Sequence, residues 1–409
     1  MIELILINIS GQDHPGVTAA LTEILARHDA QILDIGQADI HHNLSLGFLI
    51  KTDSARSGDI MKDILFRSYE LRVDVRFTPV SLDAYSDWVG RQGRQRWIIT
   101  LLGRQLGASH IATVSRIVAD EELNIDAIRR LTGRMSLEGD DNGSGNEQRR
   151  QCVEMSVRGT PLHGRDAMQK AFMALASKGE VDISLQEDNM YRRCRRLICF
   201  DMDSTLIRTE VIDELADRAG VGEQVREITE RAMRGEIDFC ESFRERVALL
   251  KGLPESVMAD IAEKLPITEG VDRMMNVLRR AGYKTAILSG GFTYFGRYLQ
   301  QKFGFDYVYA NELEIGPDGK LTGRYVGEIV DGRRKAELLR VMAQALQIDL
   351  MQTIAVGDGA NDLPMLSTAG LGIAFHAKPK VKANASQSIS TIGIDGVLYF
   401  LGFKDSQLD

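Results

Sequence analysis

The chain of 409 residues has little of what marks a membrane, secreted or nucleic-acid-binding protein. No uninterrupted apolar run approaches the ~20 residues that a bilayer-spanning helix needs. The opening MIELILINIS has no basic lead-in and no small-residue cleavage site, so the expectation there is a first strand and not a secretory signal. Cysteine is scarce. Cys152, Cys194, Cys199 and Cys240 show no C-x-x-C spacing and read as reduced cytoplasmic thiols. The seven histidines show no metal-ligand spacing, and His41-His42 reads as a surface pair at a strand end. Positive charge is also short, with 50 Lys and Arg against 58 Asp and Glu and a net charge of -8. That balance argues against a nonspecific nucleic-acid or anionic-membrane binder and leaves anionic substrates open only through local cations. Two common catalytic or phosphate motifs are missing: there is no G-x-x-x-x-G-K-[ST] loop and no G-x-S-x-G elbow.

What is present is an ordinary globular composition, 44% apolar and 26% charged, too long for one core. Residues 1–80 alternate strand, helix, strand, strand, helix, strand by hydrophobic spacing. A polar stretch, SLDAYSDWVGRQGRQ, reads as a linker. The same element order recurs over 95–188, which makes an internal repeat of about ninety residues. Within it RMSLEGDDNGSGNEQRR reads as a solvated loop, and it lacks the ligand spacing of an EF-hand. NMYRRCRR separates the repeat from the remainder of the chain. From about 195 to 409, strands and helices alternate, which predicts a doubly wound α/β domain with a parallel sheet. The interval 213–270 is almost all helical pattern and is expected as a cap inserted over the strand ends.

Four short motifs fall at strand ends of that last domain, where open α/β sheets bind ligands. FDMDST places Asp201 and Asp203 at the mouth of the apolar strand LICF. AILSGGF ends in Ser289, Gly290 and Gly291, and glycines there let backbone amides approach an anion. Lys335 opens a helix, and TIAVGDGAND brings Asp358, Asn361 and Asp362 after a buried strand. Two neighbouring carboxylates repel, and one would take up a proton unless a cation intervened. A set of hard oxygen ligands points to Mg2+ shared with a substrate phosphate. An aspartate can then attack phosphorus, with the lysine, the hydroxyl and the amides neutralising charge. Each motif alone is common in structural roles; the weight lies in all four occurring in order.

These motifs resemble the four signatures of the haloacid dehalogenase superfamily of aspartate-nucleophile phosphatases. Longer stretches, FDMDSTLIRTEVIDELA, ITERAMRGEIDFCESFRERVALLKGL, ILSGGFTYF, VGDGANDLPML and IAFHAKP, resemble its phosphoserine phosphatase family over essentially all of 197–400. The resemblance implies Asp201 as nucleophile and Asp203 as acid and base, lending also its backbone carbonyl to the metal. It implies Asp358 as the second carboxylate ligand, Asn361 and Asp362 as supports, and Ser289, Gly290 and Lys335 as a phosphate cradle. Glu210 and Arg246 are implied to meet the ammonium and carboxylate of O-phosphoserine, with Met233 and Phe239 lining the cap. The two repeats resemble ACT domains. In the first, Asn8, Gly11, Asp13 and Gly16 around SGQDHPG are candidates for a ligand such as free serine, and the second lacks the Asp-x-Pro-Gly element.

The expectation is therefore a cytoplasmic, Mg2+-dependent phosphatase in serine biosynthesis. Its fold class is α/β, a capped Rossmann-like catalytic domain preceded by two α+β ferredoxin-like (βαββαβ) domains. A sheet covered on one face, with unpaired edge strands, invites a homodimer. Neither nucleic acid nor membrane is expected as a partner. Two alternatives stay open: a related phosphatase acting on another small phosphomonoester or moving phosphate to an acceptor alcohol, and an amino-acid sensor built on an inactive phosphatase domain.

Overall fold

The computed structural model describes residues 1–90, 93, 95–134, 150–178 and 180–408, so the loop expected over 134–150 lies, apart from its two ends, outside the described residues. The chain divides into two compact units, Met1–Arg94 and Gln95–Asp409.

The first unit runs β1 (Ile2–Gln12), α1 (Val17–Arg27), β2 (Gln31–Ile40), β3 (Asn43–Asp53), α2 (Ser54–Glu70) and β4 (Val73–Val80). Its antiparallel sheet has the order β2-β3-β1-β4, so the first strand is central, with Asn8 opposite Gly47 on one side and Arg76 on the other. Helix α1 buries Val17, Leu21, Ile24 and Leu25, and α2 buries Ile60 and Ile64, each a stripe at three- and four-residue spacing. The expected linker differs: Leu82–Gly90 forms a helix, α3. Ser81 starts it by accepting the Ala84 N–H at 3.1 Å. None of its residues is buried, although Leu82, Tyr85 and Val89 recur at helical spacing that a linker reading overlooks.

The second unit begins with β5 (Arg96–Gly103), α4 (Ala108–Asp120), β6 (Asn124–Arg130), β7 (Gln151–Arg158), α5 (Arg165–Ala176) and β8 (Asp182–Glu187). Its sheet order, β6-β7-β5-β8, repeats that of the first unit. This repeat is bonded to the rest of its unit. The Asp182 carboxylate accepts the N–H groups of Ser390 (2.8 Å) and Thr391 (2.9 Å) and the Thr391 hydroxyl (2.6 Å). The Gln387 side chain exchanges two bonds with the Leu185 backbone. The stretch expected as a separator is a short turn, α6 (Met190–Arg193), and Arg192 and Arg195 in and after it are buried. These two arginines fill the junction, whereas Arg193 and Arg196 between and beside them are exposed.

Next come β9 (Leu197–Phe200) and four helices, α7 (Val211–Ala219), α8 (Gly222–Met233), α9 (Phe239–Leu249) and α10 (Ser256–Glu263). After them lie α11 (Val271–Arg280), β10 (Lys284–Phe292), α12 (Thr293–Phe303), β11 (Tyr307–Ile315), β12 (Leu321–Val326) and α13 (Gly332–Ala345). The chain closes with β13 (Thr353–Gly357), α14 (Leu363–Thr368), β14 (Leu371–Phe375), α15 (Pro379–Lys382), β15 (Gln387–Ile389) and α16 (Gly396–Phe400). The sheet order is β12-β11-β10-β9-β13-β14-β15, parallel except for the hairpin β11–β12. All four residues of β9 are buried, as a strand covered on both faces requires. The order reverses beside β9, and its carboxyl end is where a ligand is expected.

The helices α7–α10 leave and rejoin the sheet through one antiparallel bridge, Ile207 to Ile267, framed by Arg208 N–H to Pro266 O (2.8 Å) and Thr268 N–H to Leu206 O (3.0 Å). A second tie holds the α9–α10 turn to the β12 hairpin: Pro254 bridges Lys320, and Gly252 N–H reaches Leu321 O at 2.8 Å. Among the described residues no helix is long and apolar enough to cross a membrane.

Candidate active site

Asp201 comes directly after β9, and its N–H still donates to Val356 O of β13 at 2.9 Å, so the strand ladder fixes the start of the loop. The Asp201 carboxylate accepts the Met202 N–H (2.8 Å) and the Lys335 ammonium (2.9 Å). Lys335 lies on the first turn of α13, whose N-cap Asp331 accepts the Arg334 N–H at 2.8 Å. Its Nζ reaches Asp362 Oδ1 at 2.7 Å as well, and the side chain has no exposed surface. Burial works against the ammonium, but Asp201 and Asp362 outweigh it and raise its pKa, keeping it charged.

Carboxylate oxygens of Asp201, Asp358 and Asp362 lie within 4.8 Å of one another. Burial, then the charge of Asp201, pushes Asp358 up to about 8 and Asp362 to about 7, from an ordinary 3.8. Three crowded carboxylates against one lysine form the hard oxygen donor set that a divalent cation fits. Asp362, expected only as a support, joins this cluster, though Lys335 and the Gly359 N–H (3.0 Å) already occupy it. Gly357 makes its room, since a Cβ there would stand 2.5 Å from the Asp362 carboxyl. The Asp203 carboxylate stands outside the cluster. It accepts the Val211 N–H at 3.0 Å, and burial followed by the charges of Glu210 and Asp201 pushes its pKa well up.

A cleft of about 680 Å3 lies between these strand ends and helices α8–α9. Asp201, Asp203, Asp358, Gly290 and Asn361 line its sheet side; Glu210, Met233, Phe239 and Arg246 line the rest. Glu210 accepts the Ser204 hydroxyl at 2.7 Å; burial raises its pKa, partly opposed by that bond. Arg246 uses Nε on the Ser242 carbonyl one turn back (3.3 Å), and no carboxylate among the described residues stands within 4 Å of it. Burial lowers its pKa, opposed by Glu210 and Asp213. The guanidinium is left with its fork open to the cleft. Phe239 stacks on Phe243 with centroids 6.3 Å apart.

Two expectations shift. Ser289 and Lys335 do not reach the cleft surface: Ser289 is fully buried and its Oγ accepts the Gly291 N–H at 2.9 Å. Gly291, named in the sequence with the Gly-Gly turn, lines the cleft. Sequence reasoning misses Asp213, Lys378 and Lys380, which line it as well. Nothing local marks the two lysines. In the first unit, Asp13 and Gly16 share the β1–α1 turn, with the Asp13 N–H on His42 O at 2.7 Å, and Gly11 is paired within the end of β1. Asn8 lies farther back on β1, exposed, and neither it nor Asp13 has a side-chain partner among the described residues.

Comparison with known proteins agrees with this geometry. The ACT domain family matches residues 3–78, and the haloacid dehalogenase-like hydrolase family matches residues 198–367. The phosphoserine phosphatase SerB2 of Mycobacterium tuberculosis is 39% identical over 99% of this chain and 94% of its own length. The phosphoserine phosphatase of Streptomyces coelicolor is 37% identical over 99% and 93%. The crystal structure of a probable phosphoserine phosphatase from Vibrio cholerae, unliganded, superposes with a TM-score of 0.56 at 35% identity, covering 75% of this chain and 86% of that one. With Asp201, Asp203, Lys335 and Asp358 gathered at the switch point of a capped sheet, the chain belongs to the phosphoserine phosphatase family of haloacid dehalogenase-like hydrolases.

Proposed function

We propose that the chain hydrolyses O-phospho-L-serine to serine and phosphate, with Mg2+, as the last step of serine biosynthesis. Asp201 attacks phosphorus as the bond to the serine oxygen breaks, and Asp203 gives that oxygen its proton. An aspartyl-phosphate on Asp201 results. Asp203, now a carboxylate, takes a proton from water; the water oxygen attacks phosphorus, the bond to Asp201 breaks, and phosphate leaves. Both aspartates return to their starting states. The raised pKa of Asp203 suits the first half, and the Lys335 ammonium stands 2.9 Å from the Asp201 carboxylate that attacks. Mg2+ held by Asp201 and Asp358 would supply charge neutralisation for the phosphoryl oxygens.

The observation that carries the substrate assignment is the open guanidinium of Arg246 facing the same cleft as the Glu210 carboxylate. One offers a fork for an α-carboxylate, the other a counter-charge for an α-ammonium. The test compares phosphoserine with phosphoethanolamine, which lacks the carboxylate. Arg246→Ala should cost phosphoserine about 2–5 kcal/mol in kcat/KM and phosphoethanolamine far less. Equal losses would make Arg246 structural and remove the assignment.

For the first unit the proposal is a homodimer that holds a small ligand such as free serine near Asn8, Gly11, Asp13 and Gly16. Support comes from edge strand β2, where Ile32, Ile35 and Ile40 are exposed. Light scattering on the full chain and calorimetry with serine on wild type and Asp13→Ala test it. A monomer, or serine binding indifferent to Asp13, refutes it.

A further inference from the structure

A second cavity, about 590 Å3, opens inside the unit Gln95–Asp409 where the α+β repeat meets the α/β core. Helix α5 and the end of β8 form one wall, and α14, the start of β14 and residues 383–387 form the other. Arg195 lies in this wall, 5% exposed. Its Nη2 donates to Gln186 Oε1 at 3.0 Å, whereas Nε and Nη1 have no acceptor, and no carboxylate among the described residues pairs with it. Burial, uncompensated by a counter-charge, pulls the guanidinium below its ordinary pKa. A buried cation in this state costs stability unless something in the cavity answers it. Gln169, on the same wall, donates Nε2 to Ser386 O (2.9 Å) and leaves Oε1 buried with no donor. Exposed Arg165 and Lys170 at the rim are balanced by exposed Asp166 and Glu187, so the charge left over in the cavity is that of Arg195. The lining thus includes a buried cation with no counter-charge and a buried acceptor with no donor.

The far wall leads to the active cleft. Asp358, Gly359, Ala360 and Asn361 line the cleft; a few residues on, Leu366, Ser367 and Gly370 line this second cavity. The pattern repeats farther along, with Lys378, Lys380 and Val381 on the cleft and Asn384, Ser386 and Gln387 on the cavity. Two short segments therefore face a different cavity at each end.

We propose that this second cavity is an effector site for a small oxyanion, a carboxylate or a phosphate monoester, whose anionic group rests on Arg195 and whose own hydrogen-bond donor meets Gln169. Occupancy reaches the cleft through segments 358–371 and 378–387, because a ligand that favours one placement of the cavity ends biases the cleft ends with it.

The test titrates the full chain by calorimetry with inorganic phosphate and, separately, with glycolate, which joins a hydroxyl donor to a carboxylate. Wild type, Arg195→Gln and Arg246→Ala are compared, the last removing the cleft's own open guanidinium. A glycolate event should persist in Arg246→Ala, and an event with either probe should weaken at least about tenfold in Arg195→Gln, the loss of one charge-assisted bond. The probe that binds should change phosphoserine turnover by about fivefold in wild type and not in Arg195→Gln, whose basal activity is unchanged. Which of the two binds separates the carboxylate and phosphate sources. No event outside the cleft with either probe, or an event indifferent to Arg195→Gln, overturns the proposal. Should Arg195→Gln fail to fold, exposed Lys170→Glu replaces it, and unchanged affinity there overturns the proposal equally.

Discussion

Gly291→Ala isolates the acid–base half of the proposed mechanism without touching a catalytic side chain. An alanine Cβ would come under 3.0 Å from Asp203 Oδ2 and 2.7 Å from Met202 Cε, where ordinary contact begins at 3.4 Å. Asp203 is the softer neighbour, since Met202 is packed with no exposed surface. The carboxylate must retreat by about 1 Å, a misplacement that costs on the order of 10²-fold in rate when proton transfer depends on it. Stability should fall by the ~1–3 kcal/mol of a modest overpacking, leaving the chain folded. The assay pairs phosphoserine with 4-nitrophenyl phosphate, whose leaving group needs no proton. Phosphoserine turnover should drop about 100-fold, because both half-reactions use Asp203. With the nitrophenyl ester the first half-reaction survives and the second does not, so one equivalent of nitrophenolate appears in a burst before slow turnover. Wild-type rates would refute the reasoning about Asp203, and a loss with no burst would place the damage at Asp201 instead.

Asp201→Asn should abolish turnover and the phosphoenzyme seen by rapid-quench mass spectrometry, with near-native circular dichroism. Lys335→Met leaves Asp201 and Asp362 buried without their cation and should destabilise the chain by about 3–5 kcal/mol in urea unfolding. Removing divalent metal should make stability depend on pH in a stated direction. Asp358 and Asp362 hold their protons up to about 8 and 7 when folded, against 3.8 unfolded. The folded state is then favoured at acid pH and loses stability as pH rises from about 4 to about 8. Thermal melts in chelator across that range should decline toward pH 8, and Mg2+ should flatten the decline; a flat chelator profile refutes the metal cluster.

The catalytic loops are legible in the sequence because each has a local signature. An apolar run ending in acids gives Asp201 and Asp203, and glycines after a strand mark the turn at 289–291. The cap is visible as helical spacing with no strand between. Less is legible where a residue's role depends on a distant partner. Nothing near Asp362 in sequence says that Lys335, 27 positions earlier, will meet it at 2.7 Å and draw it into the carboxylate cluster. Ser289 reads as lining the phosphate site because hydroxyls bind anions, yet the group its oxygen meets is the Gly291 amide two residues on. The Arg192–Arg195 stretch looks like a spacer because arginine is usually exposed. Only the packing of the repeat against the core buries it, and sequence patterns do not report interfaces between domains. Helix α3 is a plain miss: Leu82, Tyr85 and Val89 recur at helical spacing inside a stretch whose polar residues read as a linker.

The cap's two ties divide its labour. Helix α9 carries Arg246, and the turn after it is fastened to the β12 hairpin at Pro254 and Gly252. Among the described residues helices α7 and α8 have no second backbone bridge of this kind. Helix α7 is held by its buried face and by the Val211 N–H on Asp203, and α8 meets α9 through Arg231 and Glu245 at 2.9 Å. Met233 at the end of α8 is 67% exposed. On the proposed function, the guanidinium that would meet the substrate's carboxylate stands on the bridged helix, and the exposed Met233 wall of the cleft stands on the helix without such a bridge. The placing of the cation and the shape of the apolar wall therefore belong to different stretches of one small insertion.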